Sequence, residues 1–442
     1  MLSWLAASAA RASPSLALVD ASPAPPRAGG CATYGALLRR SLRLGAALSR
    51  LLPCPPSASS TPPRRVAVVL PNCPEVVALH FGALCCASRE RELRFSRSLL
   101  FILADTHISA ACSAARAAVV NLPPSAPAPE LARLLAASCP GVLVAHASAA
   151  DLVAAAAASA SADSPRDAFP LLAVLWVGGG TDVAPAVSPA AASSLHALGF
   201  ASFPLASLMA FDPRDPDDAP DDAPVTEAAA AALLASCCVP GRAPSDIFQV
   251  IKQQAIVLYS PRHAQVYFTS GTTGEPKEVA LPAGLVARHA ALAGRAMALH
   301  PGDVWLSAAP LFHLVTAFAI YACPLVGCRH VVLPPPFSAA GLVEAIARER
   351  VSVANLASTM VQLLVTAAAA PGGGTGGDQA PLLATADVSS LRVLSCGGSP
   401  LPDAAVKAAV ARLGCPFFVS YGSALASSNT QHMLTPFSSF PF

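Results

Sequence analysis

Short runs of valine, leucine and alanine alternate along this chain with stretches whose apolar residues recur at helical spacing. The runs read as strands: "RVAVVLP" (65–71), "ARAAVVNLP" (115–123), "GVLVAH" (141–146) and "LLAVLWVGGG" (171–180). The stretches between them, "PEVVALHFGALCCA" (74–87) and "PELARLLAAS" (129–138), read as helices, and an alanine-rich helix precedes 171–180. From residue 264 the alternation resumes with "QVYFTSG", "DVWLSAAPLF", "CRHVVLP", "VSVANLA", "LRVLSCGG" and "PFFVSYG", with helices such as "AAGLVEAIARER" (339–350) between them. Continuously apolar strands need cover on both faces, and strands separated by helices run parallel. The fold class predicted is α/β, two packed subdomains with largely parallel sheets.

The predicted domains are a first α/β subdomain over 1–210, a linker over 211–262, a second subdomain over 263–423 and a tail over 424–442. The acidic, proline-rich "FDPRDPDDAPDDAP" (211–224) reads as a solvated linker, and "PGGGTGGDQAP" (371–381) as a flexible loop. Three stretches differ from the rest in composition: 89–109, 247–262 and the tail, rich in Phe, Ile, Gln or Ser. Five of the seven isoleucines lie in the first two. The first also falls between a helix and the next strand, where about two to six residues are usual. One account is that all three are foreign to the fold, as translated intron or a faulty gene prediction would be. A genuine lineage-specific insertion is the other. A mature transcript carrying all three in frame would exclude the first account.

Composition narrows the function classes. Hydrophobic residues make up 54% and charged residues 12%, with a net charge of +2. No cluster of Lys and Arg interleaved with aromatics occurs, so neither nucleic acid nor an anionic membrane is indicated as a partner. The 13 cysteines contain no CxxC pair, which leaves buried, reduced thiols as the simplest reading. The N-terminal "MLSWLAASAARASPSLALVD" has the acid-poor look of a transit peptide and is read as a helix followed by the strand "LALVD". The most apolar internal stretch (314–328) contains Pro324 and is short for a bilayer span. A soluble, cytoplasmic protein is expected, with plastid or peroxisome left open.

One stretch carries chemistry: "YFTSGTTGEPKEV" (267–279). A strand enters a loop with two glycines three apart and four hydroxyls. Glycine lets the backbone come close to an anion, and N–H groups and hydroxyls supply donors. Lys277 adds a point charge suited to phosphate. The loop is not a Walker A motif, because Glu275 and Pro276 separate the second glycine from the lysine. A bare "SGTTG" would be an ordinary turn; the strand before it and the Pro-Lys after it favour phosphate.

The stretch resembles the signature loop of the adenylate-forming superfamily, which includes acyl-CoA synthetases and 4-coumarate–CoA ligase-like enzymes. Three further stretches follow the family's order: "LPNCPEVVALHFGAL" (70–84), "SAAPLFH" (307–313) and "SLRVLSCGGSPLP" (390–402). "VSYG" (419–422) is similar to the start of the family's Tyr-Gly-x-Thr-Glu motif. The resemblance implies the family's N-terminal core fold and a two-step reaction. MgATP and a carboxylic acid give an acyl-adenylate, and coenzyme A then takes the acyl group. It implies that Thr269, Ser270, Gly271, Thr272, Thr273, Gly274 and Lys277 hold the β- and γ-phosphates, and that Tyr421, with Gly422, meets adenine. Gly397, Gly398 and Ser399 would shape the floor beneath base and acyl group. His313 and Lys277 would be the catalytic side chains, His313 at the carboxylate end of the pocket, although for His313 alone a satisfied core histidine is the better reading and only its place after "PLF" brings the pocket role level with it. No residue is assigned to Mg²⁺.

The pattern breaks in two places. Glu278 stands where the family usually has glycine, and its charge would weaken the attraction of Lys277 for ATP unless it points away. After Tyr421-Gly422 the chain reads Ser423, Ala424 and Leu425 in place of x-Thr-Glu. The ribose-binding aspartate and the mobile C-terminal domain with its lysine have no counterpart, so truncation and impaired turnover are expected. A nucleotide- or acyl-binding protein without catalysis is the alternative.

Overall fold

The computed structural model describes residues 16–21, 31–52, 65–85, 117–162, 170–177, 187–209, 263–269, 276–369, 386–420 and 434–436. In chain order the elements begin with β1 (Leu16–Asp20), β2 (Cys31–Thr33), α1 (Tyr34–Leu51), β3 (Arg65–Val69) and α2 (Pro74–Cys85). There follow β4 (Ala118–Asn121), α3 (Ala128–Ser138), β5 (Val142–His146), α4 (Ala150–Ala162) and β6 (Ala173–Val177). Next come α5 (Pro189–Ala197), β7 (Ala201–Pro204), α6 (Leu205–Met209), β8 (His263–Thr269), β9 (Lys277–Pro282) and α7 (Ala283–Ala296). The last part holds β10 (Val304–Ser307), α8 (Leu314–Ala317), α9 (Ala319–Val326), β11 (Arg329–Val332), α10 (Ala339–Glu349) and β12 (Val353–Ala357). It ends with α11 (Ser358–Ala369), β13 (Val393–Gly397), α12 (Asp403–Leu413), β14 (Phe417–Ser420) and β15 (Leu434–Pro436).

Two compact units result. The first takes in the described residues within 32–70 and 75–288, the second those within 16–31, 71–74 and 289–442. In the first, seven strands lie in the order β7-β6-β5-β3-β4-β8-β9. All neighbours are parallel except β8 and β9. One face, with Ala67, Val69, Val120, Leu143, Ala145 and Val174, packs with α3, α4 and α5 residues such as Leu131, Leu135, Val153, Ala157 and Leu195. The alanines of α4 leave little side chain between helix and neighbours, which allows close approach. Val66, Val68, Val119 and Val144 on the other face are buried too, as an α/β sheet requires.

The second unit holds a sheet in the order β15-β14-β13-β12-β10-β11-β1. Strands β14-β13-β12-β10-β11-β1 run parallel, and β15 is antiparallel to β14. Leu306, Val331, Ala354, Leu356 and Leu394 pack with Leu342, Val343 and Ile346 of α10, Val361 and Leu364 of α11, and Val406 and Ala409 of α12. At the N-terminal ends of the strands, buried Asp303 receives Arg392 Nη2 (2.5 Å) and Nε (2.8 Å), Ser352 Oγ (2.6 Å) and the His300 N–H (2.9 Å). Burial pushes this carboxyl up, but those donors outweigh it and hold it below its ordinary value.

The α/β class and the mostly parallel sheets stand as expected. The domain boundaries need correction. β8 and β9, expected to open the second subdomain, belong to the first unit's sheet, because β8 pairs with β4 through Val119↔Gln265 and Asn121↔Tyr267. The strand "LALVD", counted with the first subdomain, pairs with β11 of the second unit. Apolar alternation marks a strand without saying which sheet it joins. The 424–442 tail supplies β15, registered Val419↔Thr435. The expected insertions 89–109 and 247–262, the acidic linker, the 371–381 loop and the N-terminal helix lie outside the described residues.

Among the described residues no helix is long and apolar enough to cross a membrane. Cys73, Cys139, Cys323, Cys328, Cys396 and Cys415 are free thiols, and burial pushes the Cys415 thiol up to about 11, where it stays protonated and inert.

Candidate functional site

The hairpin of β8 and β9 frames the predicted phosphate loop. Thr269 and Lys277 are direct partners across the strand pair, followed by Phe268↔Glu278 and Tyr267↔Val279. Ser270, Gly271, Thr272, Thr273 and Gly274 lie outside the described residues. Directly opposed residues share a sheet face and successive residues alternate. Thr269 and Lys277 therefore lie on one face with Tyr267, whose hydroxyl donates to Gln265 Oε1 at 2.7 Å. Lys277 is exposed. Glu278 leaves on the opposite face, where Arg65 donates to both its oxygens at 2.7 and 2.8 Å. The carboxylate expected to oppose Lys277 thus points away from it and is paired. A cation and a hydroxyl side by side, with the neighbouring acid sent to the other face, fit a polyphosphate.

In the second unit the remaining described candidates lie at the C-terminal ends of β10 and β13, parallel strands on either side of β12, the edge at which open α/β sheets bind ligands. The loop after β10 leads to His313. It is gripped by Asn72, whose Nδ2 donates to the carbonyls of Ala308 (3.2 Å) and Ala309 (3.0 Å) while Oδ1 accepts from the Leu311 N–H (2.8 Å). Asn72 is buried, so these bonds form without competition from water. Thr316 Oγ1 closes the far side by donating to the Pro310 carbonyl at 2.6 Å. His313 precedes α8, is exposed, and has its ring centroid 4.3 Å from that of Phe312. Partial desolvation lowers its pKa from the ordinary imidazole value, which favours the neutral ring at pH 7.

The reading of His313 as a satisfied core histidine does not hold. Among the described residues the buried histidines are His80 and His330, whose pKa values burial pushes down to about 4 and about 3. His80 Nδ1 lies 2.8 Å from the Val76 carbonyl, and His330 Nε2 lies 2.9 Å from Ser307 Oγ, which also accepts from Trp305 Nε1 at 3.1 Å.

Gly397 closes β13, in register with Ala357 of β12 and Ser420 of β14. Gly398 follows with φ +90°, in the region that L side chains rarely adopt, and is exposed together with Ser399. Ser358, at the start of α11, donates to the Ser399 carbonyl at 2.7 Å and holds this turn. Tyr421 and Gly422 continue from β14 outside the described residues. His313 and the 397–399 turn are thus brought to one edge of one sheet, while Thr269 and Lys277 form a cluster in the first unit. Asn72, Ser358 and Arg65 were not singled out from the sequence. Asn72 lies inside the quoted "LPNCPE", but nothing local reveals a partner more than 200 positions away.

The profile of the AMP-binding enzyme family matches residues 106–438, well over half of the chain. The chain belongs to the AMP-binding enzyme family. Among curated proteins, a 2-succinylbenzoate–CoA ligase of Bacillus pumilus is 32% identical over 159 residues, 36% of this chain and 29% of the relative. The 4-coumarate–CoA ligase 2 of rice, Oryza sativa subsp. japonica, is 35% identical over 138 residues, 30% of this chain and 22% of the relative. The matches therefore span less than a third of the length of these relatives. Among solved structures, the N-terminal domain of FACL13 from Mycobacterium tuberculosis aligns with a TM-score of 0.58 at 18% identity, covering 98% of this chain and 78% of that one. A long-chain-fatty-acid-CoA ligase (FadD1) from Archaeoglobus fulgidus aligns with a TM-score of 0.60 at 17% identity, covering 96% and 64%. These two show that the fold is that of adenylate-forming enzyme cores. In this AMP-binding family member the Glu278 departure has a structural answer in Arg65, whereas Ala424 and Leu425 lie outside the described residues.

Proposed function

We propose that the chain takes part in ATP-dependent activation of a carboxylic acid. A carboxylate oxygen attacks the α-phosphorus of MgATP, pyrophosphate leaves, and the resulting acyl-adenylate passes its acyl group to the thiol of coenzyme A with release of AMP. Two anions must meet in the first step, so charge around the polyphosphate has to be neutralised. Lys277 and Thr269 would take the β- and γ-phosphates together with Ser270 to Gly274. Gly397, Gly398 and Ser399 would border the adenine and acyl group, Tyr421 and Gly422 would meet the base, and His313 would stand near the carboxylate. The observation that carries the reading is the Thr269↔Lys277 pair at the mouth of the hairpin, with Glu278 turned to the far face. The curated relatives, acid–CoA ligases by name, support the reaction class.

Purified chain incubated with ATP, Mg²⁺, coenzyme A and a panel of aromatic and aliphatic acids is expected to release pyrophosphate with at least one of them. A folded chain that binds no ATP would sink the reading.

A second reading, nucleotide or acyl binding without turnover, is favoured by Ala424 and Leu425 in the positions of the motif's Thr and Glu. It predicts measurable ATP affinity, no pyrophosphate release, and a gain of release in the A424T/L425E variant.

A further inference from the structure

Glu278 puts a carboxylate next to the lysine to which the functional reading gives the phosphates. Two features offset it. Strand alternation sends the side chain to the helix-covered face of the first unit's sheet, where Phe268 and Ala280 also lie. On that face Arg65 meets it with a two-pronged ion pair of 2.7 and 2.8 Å, and Nη1 also donates to the Ser138 carbonyl at 2.9 Å. Arg65 opens β3 and Ser138 ends α3, so one guanidinium ties the edge strand β9 to the middle of the sheet and to a covering helix. Open ion pairs on a protein surface contribute little. This one differs: the Arg65 side chain is only 12% exposed and Glu278 28%, and the bidentate geometry fixes both groups.

We propose that Arg65 is a positioning residue for the phosphate-binding hairpin, neutralising Glu278 and anchoring β9 so that Lys277 offers an uncompensated positive charge on the opposite face. The inference rests on the reading that Lys277 meets the nucleotide's phosphates. It assigns Arg65 and Glu278 as a unit: the acid is tolerated because the arginine is there. Losing the arginine alone leaves a bare negative charge one residue from Lys277, which repels a triphosphate more than a monophosphate. Losing both restores neutrality.

The test is calorimetric titration of the full chain with ATP and with AMP for wild type, Arg65→Gln, Glu278→Gln and the double variant, with thermal unfolding of each. Arg65→Gln is expected to weaken ATP binding roughly three- to ten-fold and AMP binding by less than about two-fold, with the ATP deficit shrinking at high salt. The double variant is expected to recover wild-type ATP affinity, and Glu278→Gln to bind ATP at least as tightly as wild type. The proposal is overturned if the double variant stays as weak as Arg65→Gln, if ATP and AMP lose affinity by the same factor, or if Glu278→Gln weakens ATP binding. Should Arg65→Gln fail to fold, Glu278→Gln decides alone, by the same criterion. Wild type that is folded yet binds neither nucleotide overturns the functional reading and this proposal with it, and is recognised by silence in all four proteins rather than by differences among them.

Discussion

The hairpin of the first unit and the strand-end loops of the second are held by different forces. Around Lys277 the arrangement is electrostatic: Glu278 and Arg65 cancel each other on one face and leave a cation on the other. Around His313 and Gly398 it is neutral. An amide, Asn72, and a hydroxyl, Ser358, bond backbone groups of the two loops. The second unit does have a buried charge cluster, Asp303 with Arg392, but keeps it at the N-terminal ends of the strands, at the far end from these loops. On the proposed reading, charge stands where a polyanion would be met, and uncharged clamps stand where shape has to be kept.

The largest expected effect would blur this contrast, because it acts on both units. His80 in the first and His330 in the second are buried neutral, with pKa values of about 4 and about 3. Their folded values lie below the ordinary 6.5, so their contribution to stability is complete above pH 6.5 and is lost as pH falls towards those values. Each should cost about 1.4 kcal/mol per pH unit within that window, about 6 kcal/mol for the two together by pH 4. Denaturant unfolding at pH 7, 5.5 and 4.5 reads it; a flat profile would contradict the burial of both rings.

Next comes Asp303→Ala, which leaves Arg392 without its carboxylate partner and should destabilise by about 3–5 kcal/mol. The Asp303 carboxyl is held below its ordinary value, so the stability it gives is present above about pH 4 and fades as pH falls below that. Its removal should therefore hurt at neutral pH and matter least in strong acid.

Lys277→Ala sharpens the contrast from the charged side. It should weaken ATP binding by roughly ten- to a hundred-fold, the worth of a charge-assisted contact, with little change in the unfolding midpoint. Asn72→Ala probes the neutral side and should be the smallest of the four, about 1–3 kcal/mol in stability from the donors and acceptors it leaves without a partner. Its ATP affinity is expected to follow wild type, while KM for the acid substrate rises. If Asn72→Ala lost ATP affinity as Lys277→Ala does, the division of labour would be wrong.

Much of this was legible in the sequence. Apolar runs such as "RVAVVLP" and "LRVLSCGG" became β3 and β13 because a strand buried on both faces has few other compositions open to it. The strand that carries Thr269 was legible from the apolar run "QVYF" that enters the loop. Three things were not. The sheet that β8 joins depends on pairing with β4, some 146 positions earlier. The partner of Glu278 lies 213 residues away. The exposure of His313 depends on how Asn72 and Thr316 shape its loop, and a single histidine after "PLF" carries no trace of either.

The pleat of the edge strand sets a rule for change at this spot. Because neighbours along β9 exit on opposite sides, deleting or adding one residue just ahead of it would swap lysine for glutamate on the face where Lys277 stands, a reversal of sign from a change of length alone. An even-numbered change would keep the order of sides, so the hairpin should tolerate two residues more readily than one.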